Sequence, residues 1–113
     1  MAKTKGKSFL GEFELMVLLA ILRLGDEAYG GAVMREIDRR TGRSVAGGGL
    51  YITLDRLESK GYLKSRLGDP GPERGGRPRR YVKVTAKGFA AVRESREALL
   101  SMMGGLETMF RNS

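Results

Sequence analysis

The chain has 113 residues, enough for one domain with a modest core but short enough to profit from a partner chain. It contains no cysteine and no histidine, which removes disulfides, thiolate chemistry, Ser-His or Cys-His catalytic pairs and ordinary zinc sites. The net charge of +8 is concentrated in Lys3, Lys5 and Lys7 and in residues 64–83, where seven basic residues face Asp69 and Glu73; a balanced body with two basic segments points to a polyanion met at defined places.

Residues 1–8, MAKTKGKS, are expected to be a basic flexible tail. No apolar secretory core follows it directly, and LMVLLAIL at 15–22 is too short to span a membrane, so a soluble, cytoplasmic protein is expected. Residues 9–24 are apolar at nearly every position after Phe13, which predicts a helix needing cover on more than one side. In so small a domain, the second cover is expected from another subunit. Gly25-Asp26 ends that helix. Residues 27–41 place Ala28, Tyr29, Val33 and Ile37 on one stripe, predicting an amphipathic helix closed by Gly42 as a left-handed cap. Gly30-Gly31 near its start permits close approach of a neighbour.

The third helix is predicted over 48–61, with Leu50, Leu54, Leu57 and Gly61 on one side. Gly48, Gly49, Ile52, Arg56 and Ser59 fall opposite, flanked by Tyr51, Thr53 and Lys60. Segments 62–67 and 80–84 alternate with period two and predict two strands. Between them the loop GDPGPERGGRP, 68–78, holds four glycines and all three prolines. Thr85 then caps a last helix over 86–111, in which Phe89, Val92, Arg96, Leu99, Met103, Leu106 and Phe110 follow coiled-coil spacing, interrupted by Arg96 and disturbed at Gly104-Gly105.

This order predicts a mainly α fold with a β-hairpin wing: a winged helix-turn-helix over 9–84 and a C-terminal dimerisation helix over 85–113. In such an architecture the third helix enters the major groove and the hairpin tip lies along the backbone or minor groove. The non-core face of the third helix would then meet DNA, which explains its small residues and low net charge.

The stretches EFELMVLLAILRLGDEAYG (12–30), GGLYITLDRLESKGYLKSR (48–66) and GGRPRRYVKVTAKG (75–88) resemble the PadR family of bacterial transcriptional regulators. The similarity is carried by Leu-Gly-(x)3-Tyr-Gly at 24–30, Leu-Tyr-x-x-Leu-x-Arg-Leu-(x)3-Gly at 50–61 and Gly-Gly-Arg…Arg-Tyr…Thr-x-x-Gly at 75–88. The resemblance implies a homodimeric repressor on a double-stranded DNA operator, often relieved by a small-molecule effector near the dimer interface. Gly49 and Ile52 stand where the family usually has Thr and Pro, and the absence of tryptophan argues against an aromatic-walled ligand pocket.

The candidate DNA contacts are Gly48, Gly49, Tyr51, Ile52, Thr53, Arg56 and Lys60 on the third helix, with Arg74, Arg77, Arg79 and Arg80 in the wing. Tyr51 either packs half-buried or gives its hydroxyl to phosphate or sugar. Arg56 either pairs with a nearby acid or reads a base, and Ile52 either packs or meets thymine methyls. The wing arginines are either a solvated charge run or contacts to backbone and minor groove. Candidate dimer residues are Phe89, Val92, Leu99, Met103, Leu106 and Phe110, with Met102 and Met109 adding interface packing. No cofactor or metal is expected, and an enzyme is the least supported class. The alternative is an RNA- or ribosome-associated basic winged helix, and a third reading is a protein-interaction module. Single-stranded RNA binding wants exposed aromatics, whereas the eight here fall mostly on core stripes.

Overall fold

A computed structural model describes residues 9–70 and 78–113. The expected N-terminal tail and the wing tip bearing Arg74 and Arg77 lie outside those residues. Helix α1 spans Glu12–Leu24, and Phe9 and Leu10 precede it rather than joining it. The Glu14 carboxylate accepts the Gly11 N–H at 2.9 Å, satisfying one of the donors that a helix start leaves open. Gly25, at φ 60°, ends the helix and opens a short 3-10 turn, Gly25–Glu27.

Helix α2 spans Gly30–Thr41, three residues later than the stripe of Ala28 and Tyr29 predicts. The hairpin claims those two residues instead. The Val82 N–H donates to the Ala28 carbonyl at 2.9 Å, and Tyr29 forms a β-bridge with Tyr81. Gly42 closes α2 in the left-handed conformation, φ 76°. Helix α3 follows at Gly47–Ser59, and the left-handed Gly61 turns the chain into strand β1.

Strands β1 (Leu63–Pro70) and β2 (Pro78–Val84) pair antiparallel, with Leu63 opposite Val84 and Arg66 opposite Tyr81. The register is interrupted between Leu67 and Pro70. Helix α4 (Ala86–Met103) starts at Thr85, whose hydroxyl accepts the Gly88 N–H at 3.0 Å. The single helix expected over 86–111 is not formed. Gly105, at φ 88°, breaks it, and a five-residue helix α5, Glu107–Arg111, follows.

One core joins these elements: Val17, Leu18 and Ile21 of α1, Val33 and Ile37 of α2, Leu50, Leu54 and Leu57 of α3, Leu63 and Val82 of the hairpin, and Val92 of α4. Among the described residues no helix is long and apolar enough to cross a membrane.

Gly88 lets α4 pack directly on the turn that joins α3 to β1 and on the end of β2. A Cβ there would lie 2.3 Å from the Tyr62 carbonyl oxygen and 3.0 Å from Val84 Cγ1. Because backbone cannot yield as a flexible side chain does, Gly88→Ala should destabilise the fold by about 3 kcal/mol, the upper end for overpacking. Chemical denaturation checks this, and an unchanged midpoint would contradict the close approach.

Candidate nucleic-acid interface

Three fully buried leucines set the rotation of α3: Leu50, Leu54 and Leu57. The helix therefore turns Gly48, Gly49, Ile52, Arg56 and Ser59 outward. Ile52 is 60 % exposed and Tyr51 42 %. A Cβ built on Gly47, Gly48 or Gly49 would meet nothing within 4 Å, so this end of α3 is a bare backbone surface that another molecule can approach closely. Its first N–H groups have no side-chain cap.

Four sequence expectations change. Thr53 is buried between the leucines and faces the core, so it is not on the outward surface. Lys60 reaches back to α1, where its ammonium lies 3.1 Å from Glu14 Oε2. It serves as a tie between the two helices. The Arg80 guanidinium is spread over Asp55 at 2.9 Å, Glu58 at 2.8 Å and the Ser65 hydroxyl at 3.0 Å. It staples β2 to α3 instead of reaching outward. Val92 is buried in the core of the chain, whereas Phe89, Leu99, Met103, Leu106 and Phe110 are exposed.

Neighbouring Arg79 points the other way along the strand, its guanidinium carbon 4.1 Å from the Tyr29 ring centroid. Tyr29 also packs edge-on to Tyr81, with centroids 5.6 Å apart, and its hydroxyl accepts a hydrogen bond from Arg35 at 2.8 Å. Arg66 lies over the Tyr81 ring at 4.5 Å. Tyr29 and Arg35 were not among the sequence candidates. The sequence places Tyr29 only on the stripe of the second helix; the bridge that brings it beside Arg79 is a long-range pairing that no local pattern signals.

The outward face of α3, the cationic hairpin alongside it and the dry leucine stripe behind it fit a helix that enters a DNA groove. Residues 18–94 match the Transcriptional regulator PadR-like family. The chain belongs to that family of transcriptional regulators. It is 41 % identical over 76 residues to the transcriptional regulator Rv3488 of Mycobacterium tuberculosis, a match covering 66 % of this chain and 64 % of that protein. The matched region thus spans just under two thirds of the curated relative. A crystal structure of a PadR family transcriptional regulator from Eggerthella lenta superposes with a TM-score of 0.66 at 28 % identity, covering 90 % of this chain and 88 % of that one. A PadR-like regulator from Bacillus cereus, 21 % identical, shares the fold over 99 % of this chain and 95 % of its own, at a TM-score of 0.66.

The staple on Arg80 makes acid stability testable. Hydrogen bonds from the Ser65 hydroxyl and then from Arg80 hold the Glu58 carboxyl below its ordinary value of 4.5. A carboxylate depressed in the folded state adds stability above its unfolded pKa, and that stability disappears as pH falls through the folded value. Wild-type thermal stability should therefore decline below about pH 4.5, and Glu58→Gln should flatten part of that decline. Melting curves from pH 7 to 3 measure it; parallel curves would show that Glu58 contributes nothing.

Proposed function

We propose that the protein is a homodimeric, sequence-specific regulator of transcription that binds a double-stranded operator and acts as a repressor in the cytoplasm. The observation that carries this reading is the outward face of α3, where Gly48, Gly49, Ile52 and Arg56 stand exposed on a helix anchored by three buried leucines. Glycines allow the backbone to approach base edges, Ile52 suits thymine methyls, and Arg56 suits the paired acceptors of guanine. Arg74, Arg77 and Arg79 add positive charge to the wing segment and suit contacts to the phosphate backbone.

The dimer is supported by apolar surface that a monomer leaves wet. Leu19 and Leu22 of α1, with Phe89, Leu99, Leu100, Met103, Leu106 and Phe110, are all exposed. Covering such surface returns roughly 25 cal/mol per Å². A groove of ≈ 470 Å³ lined by Phe9, Leu10, Leu15, Leu99 and Met103 lies between the start of α1 and α4. Two subunits meeting there would enclose the space in which a small apolar effector could act.

Selection from a random duplex pool, with structured RNA as competitor, tests the reading. A two-fold symmetric motif is expected, with half-sites about 10 base pairs apart. Arg56→Ala should then change the ranking of sequences by about 1–3 kcal/mol. Enrichment of RNA over duplex, or no enriched duplex motif, would favour the RNA-associated alternative; uniform weakening by Arg56→Ala would leave Arg56 a phosphate clamp.

A further inference from the structure

Between the start of α2 and the Tyr51 flank of α3 lies a cleft of ≈ 280 Å³ lined by Tyr29, Gly30, Gly31, Arg35, Tyr51 and Arg79 among others. Two guanidiniums converge on one neutral ring there: Arg79 lies 4.1 Å and Arg35 5.7 Å from the Tyr29 centroid. Arg35 also differs from its neighbours in what holds it. Arg39 and Arg40 hold Glu36, Arg43 holds Glu12, and Arg80 holds Asp55 and Glu58. Among the described residues, the partner of Arg35 is the Tyr29 phenol, which takes one of the five donors a guanidinium carries.

The walls of the cleft come close to α2 because two positions lack a side chain. A Cβ on Gly30 would lie 2.2 Å from the Tyr51 hydroxyl oxygen, and one on Gly31 would lie 3.2 Å from the Tyr29 ring and 3.5 Å from Arg35 Nη1. The glycines thus let a tyrosine hydroxyl and an arginine–tyrosine pair lie against the first turn of α2. Converging cations, a nearby hydroxyl and open space suit a tetrahedral monoanion that accepts several charge-assisted hydrogen bonds.

We propose that this cleft holds one backbone phosphate of the bound duplex. Arg35 is the principal donor, the Tyr51 hydroxyl and Arg79 support it, and Tyr29 positions Arg35 through its phenol. The site rests on the DNA-binding reading and adds to it a contact centred on Arg35 at the start of α2. Such a contact fixes how the protein sits on the duplex without reading its sequence.

Arg35→Gln and Arg39→Gln each remove one positive charge from the same helix, so their comparison isolates the cleft. Fluorescence anisotropy across a salt series, on a duplex from the selection and a scrambled one, is the measurement. Arg35→Gln should weaken both duplexes by the same factor and lower the slope of log affinity against log salt by about 1 per subunit. Arg39→Gln should leave both nearly unchanged. A wild-type slope in Arg35→Gln overturns the proposal, and so does a changed ranking of sequences, which would make Arg35 a base reader. A methylphosphonate scan reads the same contact from the DNA side: one neutral position per half-site should cost the wild type affinity and cost Arg35→Gln far less. Absence of any such position overturns the proposal as well. Saturable displacement of the duplex by inorganic phosphate at fixed ionic strength, lost in Arg35→Gln, would assign the cleft to a free anion. If the wild type binds no duplex, the DNA-binding reading falls and this site with it; normal binding with an indifferent Arg35 removes this site alone.

Discussion

The burial of Leu50, Leu54 and Leu57 fixes the rotation of α3, and what the surface can do follows from that angle. Each fully buried leucine contributes roughly 1.5–3 kcal/mol relative to exposure, so turning the helix to present another face would cost several kcal/mol. The outward residues are therefore set by the core. Rotation alone does not set the tilt of the hairpin against the helix. Arg80 ties the two together, by joining β2 to Asp55 and Glu58 across the α3 flank.

The same staple alters the electrostatics of the surface. Asp55 and Glu58 would otherwise present two carboxylates on the α3 flank toward the wing. Phosphate approaching there would be repelled; with Arg80 bound to both, the repulsion is reduced and the outward face stays close to neutral. Six of the described arginines thus fall into two groups. Arg39, Arg40, Arg43 and Arg80 hold carboxylates, whereas Arg35 and Arg66 lie against tyrosine rings. A net charge of +8 counts both groups alike, although the charges of the first are already matched by carboxylates.

Much of this fold was legible in the sequence because local chemistry sets it. Gly25 and Gly42 end their helices in positive-φ conformations, Thr85 caps α4, and the leucine stripe of α3 is buried as its spacing requires. The misplacements share a cause: each depends on a partner distant in the chain. Lys60 was placed on the outward flank, but Glu14, 46 residues earlier, draws it to α1. Arg79 and Arg80 look equivalent in sequence, yet strand alternation sends one to Tyr29 and the other to α3. Tyr29 fits a helical stripe until the bridge to Tyr81 claims it. Val92 obeys the seam spacing but is taken by its own core, and Gly105 ends a seam that the spacing alone would continue.

The central claim is that the outward face of α3 lies in the major groove, and the lack of native cysteine allows it to be tested directly. Gly48→Cys places a single thiol where the structure leaves open space beside a new Cβ, so it can carry an iron chelate that cleaves nearby DNA. On a selected duplex, cleavage should fall in the major groove of each half-site, at two positions about one helical turn apart. The same chelate on Leu99→Cys should leave those positions uncut. Cleavage confined to the minor groove from position 48, or equal cleavage from both positions, would contradict the placement of α3.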